Sequence, residues 1–164
     1  PVFEIFVYSP EFQGVHLRGG KIARGVSSWS EREDFRKEVF ELMEAQMPKN
    51  TIIVPVGAKG GFRLNTQSSD PEVLRYQVRL CYQRYIRTLL ELTDNIDADG
   101  NITHPENCII YDEADPYLFI AADKGTADFS DIANEIATEE FNFWLTDAFA
   151  SGGSSGYNLS LIHI

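Results

Sequence analysis

Hydrophobic and polar positions alternate from Phe3 to Tyr8, putting Phe3, Ile5 and Val7 on one face, which is the period of a half-buried strand. Ser9-Pro10 ends it, and Val15 to Leu17 reads as a short second strand. The period then lengthens. Phe35, Val39, Leu42, Met43 and Met47 recur at helical spacing, Ser30 with Glu33 three residues on forms a capping box, and Pro48 stops the run, so a helix is predicted from about Glu31 to Met47. The apolar stretch Thr51 to Val56 predicts a strand that delivers Lys59 into a glycine cluster, Gly57, Gly60 and Gly61. Asp70-Pro71-Glu72 opens a long helix to about Thr93, with aspartate as N-cap and proline in the first position. Leu74, Val78, Cys81, Tyr82, Tyr85, Leu89 and Leu92 line one face of it, and Arg75, Arg79, Arg84 and Arg87 lie on others as solvated cations.

Asp94 to Asn107 is acidic and has no periodicity, so it reads as a surface loop with His104 exposed on it. Tyr117 to Ala122 is a continuous apolar run, the pattern of a strand buried on both faces, and it ends in Asp123-Lys124-Gly125-Thr126. Asp128 or Ser130 caps a further helix carrying Ile132, Ile136 and Phe141, residues 143–149 form another amphipathic piece, and a glycine-serine run at 150–156 reads as a loop. The expected fold class is α/β, a mixed sheet flanked by helices. Residues 1–157 are expected to form one substrate-binding domain and residues 158–164 a truncated or non-native tail, because Asn-Leu-Ser-Leu-Ile-His-Ile has no partner pattern in the chain.

Composition narrows this picture. The 164 residues are 43% apolar, enough for a real core in one domain or a piece of a larger one. A formal charge of −11 argues against nucleic acid as a partner. Most of the cations lie before Phe62 or along Arg75 to Arg87, and after Arg87 Lys124 stands alone, a distribution that suits either a pocket for a small anion or ordinary amphipathic helices. Cys81 and Cys108 are isolated from one another, which predicts neither a disulfide nor a metal site and fits a reducing compartment. No apolar stretch approaches the roughly 20 residues that span a bilayer, so the expectation is a soluble, cytoplasmic protein with no membrane partner.

Candidate chemistry centres on Lys59. Glycines on both sides remove Cβ atoms and permit φ > 0 turns that aim N–H groups at an anion, and a lysine held there, desolvated and near a second cation such as Lys49, is a candidate proton acceptor. The alternative is a solvated lysine in a hairpin turn. A phosphate loop of the Walker kind is disfavoured because Gly60, rather than Ser or Thr, follows the lysine. Arg18-Gly-Gly-Lys-Ile-Ala-Arg24-Gly25 combines three cations with three glycines and reads either as a wrap for a carboxylate or as an exposed basic loop. Asp123, at the end of a buried strand, stands where ligands bind open α/β sheets, or caps a turn.

Several strings then fall in one order: Val-Tyr-Ser-Pro at 7–10, Val-His-Leu-Arg at 15–18, Ala-Gln-Met-x-Lys-Asn at 45–50, Val-Pro-Val-Gly-Ala-Lys-Gly-Gly-Phe at 54–62, Leu-Thr-Asp-Asn at 92–95, Asp-Pro-Tyr-Leu at 115–118, Ala-Ala-Asp-Lys-Gly-Thr-Ala at 121–127, Phe-Ser-Asp-Ile-Ala-Asn at 129–134 and Asp-Ala-Phe-Ala-Ser-Gly-Gly-Ser at 147–154. Together they resemble the large bacterial NAD-specific glutamate dehydrogenases over about Val7 to Tyr157. The resemblance implies the substrate-binding part of an amino-acid dehydrogenase core, an enzyme that oxidatively deaminates L-glutamate to 2-oxoglutarate and ammonia. It implies Lys59 and Asp123 as catalytic residues, Lys49 and Arg24 as binders of substrate carboxylates, and a homo-oligomer in the full-length protein. NAD would be bound by a domain missing from this chain, since no strand followed by Gly-x-Gly-x-x-Gly and a helix occurs here and a Rossmann domain is therefore expected to be absent. The isolated chain is accordingly expected to be inactive.

One segment departs from the family. Where it usually has Arg-Gly-Gly-Ile-Arg-Trp-Ser, this chain has Arg24-Gly25-Val26-Ser27-Ser28-Trp29-Ser30, so a glycine and an arginine are lost. Two other readings stay open on the residues alone. One is a non-catalytic module that binds a dicarboxylic 2-oxo acid or amino acid, and the other is an enzyme in which Lys59 forms a Schiff base.

Overall fold

The computed structural model describes residues 2–21, 23–31, 33–46, 57–118, 120–122, 128–146 and 149, with the backbone alone at 24–26, 28, 45–46 and 120–122. Its frame is a five-stranded mixed sheet. Strands β1 (Phe3–Tyr8) and β2 (Phe12–Arg18) form an antiparallel hairpin, and β4 (Gly57–Leu64) runs antiparallel to β2 in the middle of the sheet. On its other edge β4 pairs in parallel with β3 (Arg24–Trp29), which in turn pairs in parallel with β7 (Ile120–Ala122). The order is β1-β2-β4-β3-β7. Parallel neighbours need a crossover, and helix α1 (Phe35–Gln46) lies between β3 and β4 in the chain. The mixed α/β arrangement expected from the sequence is observed.

Each sheet face has its own helix. Val15 and Leu17 of β2 pack with Phe35, Val39 and Met43 of α1, whereas Phe12, Phe62 and Leu64 pack with Val78, Tyr82, Tyr85 and Ile86 of α2 (Pro71–Glu91). Alternation along β2 divides the two cores, since residues two apart share a face and adjacent ones do not. Helix α2 starts where its sequence says it should. The Asp70 carboxylate accepts the N–H groups of Glu72 and Val73, and Pro71 fills the first position, whose missing N–H costs nothing there. It ends at Glu91, two residues before the expected Thr93, which turns its hydroxyl onto the carbonyl of Leu89. Arg84 is exposed and Arg87 half-buried, and they pair with Glu11 and Glu140 in surface contacts that water and salt screen. Cys81 is a core residue, as expected, and burial pushes its thiol pKa up.

Other expectations are corrected. Helix α1 begins at Phe35 rather than Glu31, because Ser30 still extends the sheet by donating its N–H to the carbonyl of Phe62. The Ser30 hydroxyl reaches Glu38 in the first turn instead of closing a box with Glu33, and the carbonyl of Asp34 accepts the N–H groups of Lys37 and Glu38. The predicted strand at 51–56 and the end of the predicted helix at 47–48 lie outside the described residues. The glycines expected to make a turn around Lys59 instead lie inside β4. Their requirement is close packing: a Cβ on Gly60 would stand 2.4 Å from the Tyr85 hydroxyl, and one on Gly14 would stand 2.7 Å from the Tyr85 ring. The segment 94–107 is partly ordered into a small hairpin of β5 (Asn95–Ile96) and β6 (Ile102–Thr103), closed by Asp97, whose carboxylate accepts the N–H groups of Asp99 and Asn101. Gly100 takes the positive φ, 85°, that this turn needs.

Within the run 117–122 the described strand is Ile120–Ala122, and Tyr117 and Leu118 lie outside it; the carbonyls of Pro116 and Tyr117 are taken by the side chains of Trp144 and Arg18. Helix α3 (Asp128–Glu135) continues into a π-helical turn (Ile136–Glu140), and Asn142, at φ 46°, follows it. Among the described residues no helix is long and apolar enough to cross a membrane.

The Tyr85 contact gives a direct test. Gly60→Ala is expected to destabilise the chain by about 1–3 kcal/mol through overpacking. Adding Tyr85→Phe removes the oxygen nearest the new methyl group, so the double variant should unfold at higher urea than Gly60→Ala alone, although Tyr85→Phe by itself loses a hydrogen bond to the Val15 carbonyl.

Candidate active site

Lys59 is the third residue of β4, the central strand, and only 5% of it is exposed. Lysines are seldom this buried without a specific environment. It pairs with Leu17 on one side and Val26 on the other, and Val26 pairs with Ala121, so one row crosses the sheet as Leu17, Lys59, Val26, Ala121. Side chains in one row share a face, and Leu17 belongs to the core under α1. Lys59 therefore stands on the α1 side. With strands spaced by about 4.8 Å, the Cα atoms of Lys59 and Ala121 are about 10 Å apart.

The other predicted residues are placed less fully. Arg24 pairs with Gly57, two positions before Lys59 along β4, which sets the Cα atoms of Arg24 and Lys59 about 8 Å apart on rows of the same parity. Its side chain, and all of Lys49 and Asp123, lie outside the described residues. In the chain, Lys49 comes three positions after the end of α1, and Asp123 comes directly after the last residue of β7. The two departures from the family pattern fall in the same neighbourhood, for Val26 is the strand neighbour of Lys59 and Ser28 that of Gly61. Among the described residues no group of three or more His, Cys, Asp or Glu side chains could hold a metal ion.

The basic segment after β2 wraps a carboxylate, and that carboxylate is the chain's own. Arg18, buried at the end of β2, makes a two-pronged pair with Asp115 through Nη1–Oδ1 at 3.0 Å and Nη2–Oδ2 at 2.5 Å. Nη1 also donates to the Tyr117 carbonyl at 2.7 Å. Lys21, exposed, pairs with Glu113. Removing one partner from a buried pair of this kind leaves an uncompensated charge and costs about 3–5 kcal/mol. His104, expected as a solitary loop histidine, has its Nδ1 2.7 Å from Oδ1 of buried Asp94.

His16 is the residue that the sequence reading passed over. It stands on the α2 face in the row His16, Gly60, Ser27, is fully buried, and neither ring nitrogen has a hydrogen-bond partner. Burial, reinforced by the charge of Arg18, pushes its pKa from 6.5 down to about 3. Its only signal in the sequence is a histidine between apolar neighbours of a strand, which does not distinguish burial from exposure.

Residues 1–164 match the family described as bacterial NAD-glutamate dehydrogenase, catalytic domain. The chain belongs to that family. It is 57% identical over 162 residues to the NAD-specific glutamate dehydrogenase of Pseudomonas aeruginosa, 55% over 161 residues to that of Halomonas elongata and 52% over 167 residues to that of Mycobacterium tuberculosis. Each alignment covers 96% of this chain and 10% of the relative, so the chain spans about a tenth of the length of these curated glutamate dehydrogenases.

The state of His16 sets a pH dependence. The imidazole is neutral when folded and takes a proton in the unfolded chain below about pH 6.5, so its contribution is complete above that pH and is lost as the pH falls towards about 3. Stability should fall by up to about 1.4 kcal/mol per pH unit between roughly pH 6 and 5, above the carboxylate range. His16→Leu should flatten that slope in urea titrations at stepped pH.

Proposed function

We propose that this chain supplies the substrate side of an NAD-dependent glutamate dehydrogenase, which converts L-glutamate to 2-oxoglutarate and ammonia. The observation that carries the reading is the buried Lys59 at the centre of the sheet, in one row with Val26 and Ala121, within a chain of this family. On the same reading the fold is the substrate-binding part of an amino-acid dehydrogenase core.

NAD would supply the hydride acceptor for the substrate Cα. The described residues do not fit it. The amides of β4 lie in ladders on both edges, and the space over Gly14 and Gly60 is filled by Tyr85, so these glycines cannot cradle a pyrophosphate. The cofactor belongs to parts of the protein outside these residues.

The remaining work is proton transfer and positioning. Deamination needs a base to deprotonate the water that attacks the carbon bearing nitrogen, and Lys59 takes that role. Asp123 carries protons to and from the departing nitrogen. Arg24 and Lys49 hold the two carboxylates, which fixes the substrate's direction and favours a five-carbon diacid over a neutral amino acid. Val26, next to Lys59 in the sheet, stands where the family has a glycine, and Ser28 lacks the charge that an arginine would bring.

Calorimetry of 2-oxoglutarate with this chain tests the assignment. Lys49→Ala and Lys59→Ala should each weaken binding by about 1–3 kcal/mol, the scale of a lost charged hydrogen bond. Unchanged affinity in both variants would remove these lysines from the substrate site. In the full-length protein Lys59→Ala should lower turnover by about 10²- to 10⁴-fold, the usual contribution of a positioned base.

A further inference from the structure

Strand β7 is held by very little of its own. It has three residues, and its ladder with β3 consists of Gly25 with Ile120, Val26 with Ala121 and Ser27 with Ala122. A parallel ladder of this length is weak, and β7 is an end strand among the described residues. Among the described residues the chain entering it has no ladder either. Residues 115–118 are instead fastened by side chains from three directions.

From β2, Arg18 grips the Asp115 carboxylate with both prongs and takes the Tyr117 carbonyl as well. From the end of α2, Asp94 accepts the Asp115 N–H through Oδ2 at 2.6 Å, and its own N–H returns to the Asp115 carbonyl at 3.1 Å. From the C-terminal side, Trp144 donates its indole N–H to the Pro116 carbonyl at 2.7 Å. Arg18 and Asp94 are both buried, and His104 occupies the other oxygen of Asp94. Charge-assisted and two-pronged bonds fix direction as well as distance.

We propose that Arg18, Asp115 and Asp94 form a positioning network that fixes β7, and with it the approach of the chain to Asp123, against the strands that carry Lys59. Arg18 pairs in β2 with Ala58, the neighbour of Lys59, so the network joins the strand beside the lysine to the segment that leads to the aspartate. The inference rests on the reading of Lys59 and Asp123 given above. None of the three network residues touches substrate in it.

The test uses the full-length protein that carries this chain and has two readouts, amide hydrogen exchange at residues 120–122 and steady-state kinetics with 2-oxoglutarate, ammonia and NADH. Asp94→Leu is expected to speed exchange at 120–122 and to lower kcat by about tenfold or more while KM for 2-oxoglutarate stays within about twofold. Asp94→Asn, which keeps an acceptor, should recover most of both. Arg36→Ala, which breaks the exposed pair with Glu4, should move neither. If Asp94→Leu does not fold, Arg18→Lys carries the comparison, since it keeps the charge and loses the fork. Unchanged exchange at 120–122, or faster exchange with kcat intact, would overturn the network's role. Full turnover in Lys59→Ala would instead sink the reading of the site, and the exchange arm would still decide whether the network holds β7.

Discussion

The close approach of α2 to the sheet is the constraint on which the rest of this structure depends. Tyr85 lies over Gly14 and Gly60 with its hydroxyl on the Val15 carbonyl, closer to the backbone than any residue with a Cβ at those positions would allow. That contact sets how near the helix comes, and the aromatic contacts of Phe62 with Tyr82 and Tyr85 fill the space around it. A central strand rich in glycine would otherwise be a weak one, with little side-chain surface to pack. Here the helix supplies the missing bulk, and the strand that carries Lys59 is clamped from behind.

The two faces of the sheet consequently have different tasks. On the α2 face apolar packing dominates, and neither ring nitrogen of buried His16 has a hydrogen-bond partner. On the α1 face Lys59 stands in a row with β3 and β7. Chemistry on one side of a single layer can therefore be supported by packing on the other. Adjacent residues of one strand serve both ends, Lys59 facing one way and Gly60 the other.

Much of this was legible in the sequence, and the limits have physical causes. The start of α2 was readable because Asp70 and Pro71 act locally, through bonds to their own first turn. The start of α1 was not, because the long-range bond from Ser30 to Phe62 overrode a good local capping signal. The glycines around Lys59 are plain in the sequence, but their purpose is not. A turn and a close helix contact demand the same residue, and only the position of Tyr85 distinguishes them. Lys59 stood out by its setting, whereas the partnership of Arg18 with Asp115 joins residues far apart in the chain and leaves no periodic trace. Asp94 looked like the first residue of a loop, and its burial comes from what folds over it.

The mixed topology also dictates an order of assembly. The β1–β2 hairpin forms from neighbours, but β3 and β7 pair residues roughly 95 positions apart. Closing a loop of that size costs about 2 kcal/mol more in chain entropy than closing one a tenth as long, and a three-residue ladder returns little of it. Such a pairing forms late and opens early. Strand β4 is thus built into the first-formed part of the sheet, while β7 joins only when most of the chain has already condensed, so a nascent or partly unfolded molecule has its central strand in place before its end strand.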